Sequence, residues 1–270
     1  MSEPAVVYEK KEGVAIVRMN RPEVRNAMNA EMLCRLSDAW QDVNDDSAVR
    51  CAILTGTGDE AFCAGADLGE FIPMMQGLKP PKNEWDERAK SDPGIIFKGL
   101  LRGYDVAKPI IAAVNGHSYA GGTEILQATD IRVVAEEARL AISEVKRSLF
   151  PMGGSTVRLV RQIPWALAME ILLTGEPVTA HEAWRIGLVN KVVPRARVME
   201  EAMRYAAVLA ENGPLAVQAV KRSVLAGSGR SIEEALQKEM EIGIPVSGSE
   251  DAREGPRAFK EKRKPVYKGR

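Results

Sequence analysis

The sequence has only two histidines and three cysteines in 270 residues, and its 37 Lys plus Arg are balanced by 37 Asp plus Glu. Each of these scarcities excludes something. With no net charge, no long-range field gathers nucleic acid, anionic membrane or polyanions over the whole surface, so an anionic ligand must be held locally. Cys34, Cys51 and Cys63 form no Cys-x-x-Cys pair, which removes the usual zinc and dithiol patterns, and an odd, sparse count fits a reducing cytoplasm. No metal site is expected. The most apolar stretch, Lys108 to Gly122, is broken by Pro109, Asn115 and His117, so no membrane span is expected. The first residues lack the basic start and apolar core of a secretory signal, and the expected location is the cytoplasm.

What remains is 45% hydrophobic residues with 23 Gly and 15 Pro, ordinary for a globular chain with a sizeable core. Val6 to Glu9 and Val14 to Met19 alternate around Lys11-Glu12-Gly13 and predict a β-hairpin. Asn29 caps a helix expected to reach about Asn44, with Met32, Leu33, Leu36, Trp40 and Val43 on one face. Val49 to Thr55 reads as a buried strand. Ile110 to Val114, Ile131 to Val134 and Leu188 to Val193 repeat its character. That recurrence predicts an α/β chain of alternating units to about Pro194. Beyond it, Val198 to Glu211, Pro214 to Ala226 and Ile232 to Gly243 carry helical periodicity without a strand. Residues 1–194 are thus expected as a core domain and 195–270 as a helical region. Pro73 to Gly94 has no period and reads as a mobile surface excursion.

Two near-motifs fail on context. Gly56-x-Gly58-x-x-Ala61 follows a strand but is not continued by a crossover helix and a second strand ending in an acid, as dinucleotide binding requires. Gly116-His117-Ser118-Tyr119-Ala120 approaches a serine nucleophile elbow, but the only downstream histidine, His181, lies in a helical stretch, and His117 would project away from Ser118. A more coherent set comes from three segments: Cys63-Ala64-Gly65-Ala66-Asp67-Leu68, Gly121-Gly122-Thr123-Glu124, and Ser143-Glu144 followed by Pro151-Met152-Gly153-Gly154. Gly121 opens a helix, so its N–H is free at the positive end of the dipole. Ala66, read as the start of a helical stretch from Asp67 to Met75, would supply a second donor for an oxyanion hole. Glu124 falls on nearly the same face as Gly121.

Together with Asn20-Arg21-Pro22, Asn26-Ala27-Met28-Asn29, Thr55-Gly56, Leu173-Thr174-Gly175, Gly187-Leu188-Val189-Asn190 and Phe259-x-x-Lys262-Arg263, these segments resemble the enoyl-CoA hydratase/isomerase (crotonase) family over nearly the whole chain. The resemblance implies a spiral of ββα units with a helical C-terminal trimerisation region, assembled as a homotrimer or dimer of trimers. It implies an acyl-CoA thioester substrate, with coenzyme A part of the substrate and no separate cofactor. Ala66 and Gly121 would bind the thioester carbonyl. Glu124 would activate water and Glu144 would protonate Cα, the pair that hydratases use, whereas a double-bond isomerase shuttles one proton with a single glutamate. Burial should raise one carboxylate's pKa and so separate acid from base.

By the same resemblance Arg25 and the backbone of Ala64, Ala66, Asp67 and Leu68 would border the pantetheine and adenine, and Phe259 and Lys262 of a neighbouring subunit would touch the nucleotide end. The basic tail from Lys260 to Arg270 supports either phosphate contacts or a solvated end. Ala120 stands where many family members have a glycine, Tyr119 is bulky, and Lys146-Arg147 follow Glu144, which leaves the preferred acyl group open. An RNA-binding scaffold is disfavoured by the balanced charge and the lack of interleaved aromatic and basic residues.

Overall fold

The computed structural model describes residues 3–270. The chain enters through β1 (Val6–Lys11) and β2 (Val14–Met19), an antiparallel hairpin, and then α1 (Ala30–Asp45). The Asn29 side chain accepts the Met32 N–H and starts α1, whose inner face buries Met32, Leu33, Leu36, Trp40 and Val43 as the periodicity predicts. Three strand pairs follow: β3 (Cys51–Gly56) with β4 (Ala61–Cys63), β5 (Ile110–Val114) with β6 (His117–Tyr119), and β7 (Ile131–Ala135) with β8 (Arg139–Ala141).

Helices α2 (Phe71–Met75), α3 (Glu84–Ser91) and α4 (Pro93–Gly99) separate the first two pairs, and α5 (Gly121–Leu126) separates the second and third. After β8 come α6 (Ser155–Gln162), α7 (Trp165–Thr174), β9 (Val178–Thr179), α8 (Ala180–Arg185) and β10 (Lys191–Val193). The chain closes with α9 (Val198–Glu211), α10 (Pro214–Gly227), α11 (Ile232–Ser247) and α12 (Glu250–Lys260).

Each pair gives its first strand to one sheet and its second to another. The six-stranded sheet has the order β1-β2-β3-β5-β7-β10, and the four-stranded one β4-β6-β8-β9. Repeating ββα units add strands to both sheets in the same sequence, which makes the chain a spiral. The first sheet is parallel from β2 to β10. Its central strands β3 and β5 are buried at every position, as expected where both faces are covered.

Several expectations change. The second sheet was not read from the sequence, because three of its strands have three residues and one has two, too short for period-2 alternation to show. As expected, no crossover helix follows Gly56-x-Gly58: Ala61 begins β4, and the glycine pair before it turns one strand into the next. Ser118 is fully buried in β6, with the Thr123 hydroxyl donating to its carbonyl and lying 3.2 Å from its Oγ. It is not a nucleophile at an exposed elbow.

The stretch from Pro73 to Gly94 is docked rather than loose. Asn83 caps α3, Arg88 makes a two-pronged bond to Asp38, and Arg35 lies over the Trp85 ring. Its lack of period reflects short capped helices. Of the helices after Pro194, α9 packs on β3, β5 and β7, with Val198, Ala202 and Ala206 in the core. The body therefore extends through α9, and the appended helices begin at Pro214. Among them, α11 runs to Ser247, past its expected end at Gly243, with Pro245 inside its last turn.

Candidate active site

The site begins at the junction of the two sheets. Ala66 does not open a helix: α2 starts only at Phe71, and Ala66 instead forms a parallel bridge with Met28. In that bridge the Met28 N–H donates to the Gly65 carbonyl and the Asp67 N–H to the Met28 carbonyl, which leaves the Ala66 amide without a protein acceptor among the described residues. The Gly121 amide, first in α5, is free for the expected reason. A Cβ built on Gly121 would stand 3.8 Å from the Ala66 nitrogen, and one on Gly65 3.2 Å from the Gly121 nitrogen. The two free donors therefore open onto one small space.

That closeness depends on backbone geometry. Gly65 has φ +95°, and a Cβ there would lie 2.7 Å from the Ala120 Cβ and 3.0 Å from the Tyr119 carbonyl. Ala120 itself has φ +50°, a conformation that strains an L side chain. Its amide donates to the Ala141 carbonyl, and its carbonyl accepts from Thr123 and Glu124. The alanine thus holds a glycine-like conformation because the turn on both sides is fixed by hydrogen bonds.

Glu124 lies three residues into α5 and is 3% exposed. Its Oε1 accepts the Ser155 N–H at 3.2 Å, so the carboxylate faces the positive end of α6. Its Oε2 lies against Gly153, where a Cβ would come within 2.7 Å of it, and only glycine permits that approach. Glu144, the first residue of a 3₁₀ turn (Glu144–Arg147), is mostly buried, and its Oε2 is sealed from solvent without a partner. Burial, and then the nearby charge of Glu124, push the Glu144 pKa up to about 7, against a smaller lowering that includes the charge of Arg147. One carboxylate is cradled by a helix N-terminus and the other has its pKa raised by burial, although 20 residues separate them in sequence.

The other expected positions fall in two groups. Arg25 and Ala64 meet through the Ala64 N–H to the Arg25 carbonyl, while the Arg25 side chain pairs with Glu60. The Asp67 carboxylate is engaged within the loop: Oδ1 accepts the Gly69 and Glu70 amides, and Oδ2 pairs with Arg21. Its backbone is engaged as well, the amide by the Met28 carbonyl and the carbonyl by the Ile72 amide, so only the exposed side chain of Leu68 is offered outward here. Phe259, in the last turn of α12, and Lys262 just after it are exposed; at 87% exposure Phe259 touches little of its own chain. A cavity of about 520 Å³ in this region is lined by Asp251, Glu254, Arg257 and Arg263 and includes neither glutamate of the site.

Ser155 and Arg158 were missed by the sequence reading. The signal was present: both lie beside Leu159 on the inner face of α6, straight after Gly153-Gly154, and a cation on a buried face calls for a partner.

Strand pairs feeding two sheets, a free-amide pair at their junction and two glutamates beside it define an α/β spiral of the crotonase type. Solved structures agree: an enoyl-CoA hydratase from Bacillus anthracis matches with TM-score 0.88 at 34% identity, covering 98% of this chain and 100% of that one. The family model for enoyl-CoA hydratase/isomerase matches residues 9–270, and the chain belongs to that family. The enoyl-CoA hydratase EchA19 of Mycobacterium tuberculosis is 47% identical over 100% of this chain and 98% of its own length. An (E)-benzylidenesuccinyl-CoA hydratase of Thauera aromatica is 35% identical over 98% and 99%. Relatives with different names thus match nearly the whole chain, at 47% and 35% identity.

Proposed function

We propose that the protein is a carbon–oxygen lyase that adds water reversibly across the 2,3 double bond of a 2-enoyl-CoA thioester. The observation that carries this reading is the unequal glutamate pair, with Glu144 raised to about 7 and Glu124 held by the Ser155 amide. The thioester carbonyl accepts from the Ala66 and Gly121 amides, which stabilise the negative charge that develops on its oxygen. Glu124 takes a proton from water as the oxygen attacks Cβ, and Glu144 gives its proton to Cα. The pair ends with its single proton on the other carboxylate, and transfer between the adjacent groups resets it. Dehydration runs the same steps backward.

Coenzyme A is part of the substrate, and the reading requires no metal or redox group. Arg25, the Ala64–Leu68 backbone and, from an adjoining subunit, Phe259 and Lys262 border the CoA portion. The exposed apolar faces of α10 and α11 support assembly as a trimer or dimer of trimers, and three buried free thiols suit a reducing cytoplasm.

The test is a series of 2-enoyl-CoA thioesters of increasing chain length, followed by loss of the conjugated-thioester absorbance and by product mass. Hydration gives the 3-hydroxyacyl-CoA, whereas a shifted double bond at unchanged mass would make the protein an isomerase. Glu124→Gln and Glu144→Gln are each expected to lower turnover by about 10²-fold or more with folding retained. Near wild-type hydration in either variant would remove that residue from the mechanism.

A further inference from the structure

The arrangement behind Glu124 centres on a cation that the two-carboxylate reading does not use. Arg158, one turn into α6, sends Nη1 to the Gly153 carbonyl at 2.8 Å and Nη2 to the Leu101 carbonyl at 2.5 Å. Gly153 is the residue packed against the Glu124 carboxylate, and Ser155, at the start of the same helix, donates to it. Leu101 follows α4 with φ +55° and is buried, so its carbonyl is presented by a strained turn and not by a helix. A planar guanidinium with a fixed fork can bridge two carbonyls in this way, and an ammonium cannot reproduce the geometry.

We propose that Arg158 is the positioning residue that makes Glu124 the base of the pair: it ties the α4 end to the Gly153 turn against which the Glu124 carboxylate rests, and sets a partly buried positive charge near it. The proposal rests on the hydratase reading for its consequences in turnover, but not for its geometry. The charged groups around the site divide unequally. Glu124 faces Glu144 and Arg158. Arg158 has Arg102 and Asp105, beyond α4, as more distant neighbours, and burial lowers its pKa while Glu124 opposes that lowering. Glu144 has only the partial compensation of Arg147, because the neighbouring Lys146 is paired with Glu176. The guanidinium therefore stands on the Glu124 side of the pair and not on the Glu144 side.

The decisive comparison is Arg158→Gln with Arg158→Lys. Arg158→Gln is expected to lower kcat by roughly 10- to 100-fold with KM changed less than about threefold, since it mispositions and partly neutralises a base without touching CoA. Its acid limb of kcat/KM should move to higher pH by about one unit, because losing a nearby cation disfavours the ionised base. Arg158→Lys retains the charge, so its acid limb should stay in place while kcat falls severalfold from loss of the double bridge.

A readout independent of turnover is carbon NMR of carboxyl-labelled glutamate in the Glu144→Gln protein. There the remaining buried carboxyl at the site should titrate at higher pH once Arg158→Gln is added. A folded Arg158→Gln enzyme with an unmoved acid limb, or an unmoved NMR titration, overturns the proposal. Should Arg158→Gln not fold, Arg158→Lys decides: wild-type turnover, or a shifted acid limb, overturns it as well. If no enoyl-CoA is hydrated at all, the hydratase reading fails and the NMR titration still tests the role of Arg158.

Discussion

The spiral body and the α10–α11 hairpin are both rich in apolar side chains but dispose of them differently. In the body, β3 and β5 are buried at every position and α9 covers them. In the hairpin, α10 buries only Pro214 and α11 only Ile242, while Val220, Val224, Leu236, Met240 and Ile244 stand exposed. Covering one such side chain contributes about 1.5–3 kcal/mol, so a row of them left in water is a large unused source of stabilisation. The body completes its core within one chain and brings the free amides of Ala66 and Gly121 together there. The hairpin does not complete its core, which suits the proposal that copies of the chain meet there.

The sharpest way to break this contrast lies in the body. Gly65→Ala forces a side chain at φ +95° into Ala120 and the Tyr119 carbonyl, so the Ala66 amide must move. A loss of roughly 10²- to 10³-fold in turnover is expected, the size seen when one oxyanion donor is removed, with the oligomer intact by sedimentation. Val220→Asp with Met240→Asp should do the reverse: a dissociation constant weakened by about 10²-fold or more from charges placed in an apolar contact, with the circular dichroism of the body retained. A wild-type oligomer in that double variant would show that the hairpin is an appendage.

A smaller effect separates function from stability at Glu144. Its pKa is raised in the folded protein from 4.5 to about 7, so between those values the native state binds more protons than the unfolded one, and wild-type stability falls as pH rises through the window. Glu144→Gln escapes that loss. Denaturant midpoints should show it gaining on wild type as pH rises from 4.5 through about 7, by about 3 kcal/mol in all, and levelling off about a unit above that. A constant difference across that range would mean that the carboxyl is not raised. The smallest expected change is Ala120→Gly, which relieves φ +50° and should stabilise the body by about 0.5–1 kcal/mol in the same measurement without altering assembly.

Much of the frame was legible in local pattern. The hairpin β1–β2, the Asn29-capped α1, the strands β3, β5 and β7, and the helical C-terminal region were readable because a capping side chain or a run of β-branched residues acts within a few positions of itself. The glutamates could be singled out, and so could Gly121, whose free amide follows from being first in a helix. The Ala66 donor was reached for a mistaken reason, since its freedom comes from a bridge to Met28, 38 positions earlier, and not from a helix start.

The sequence by itself determined the residue types and the strong local signals: which segments are apolar, where α1 begins, and which side chains can carry a proton. Only the tertiary structure decided that strands as short as β4, β6 and β8 form a second sheet, that α9 belongs to the core, and that Glu124 and Glu144 occupy different environments. The physical reason is that a buried charge is governed by what surrounds it in space. The Ser155 amide and the Gly153 turn, to which Arg158 is bonded, reach Glu124 from residues about 30 positions away, and no local pattern around Glu124 encodes that approach.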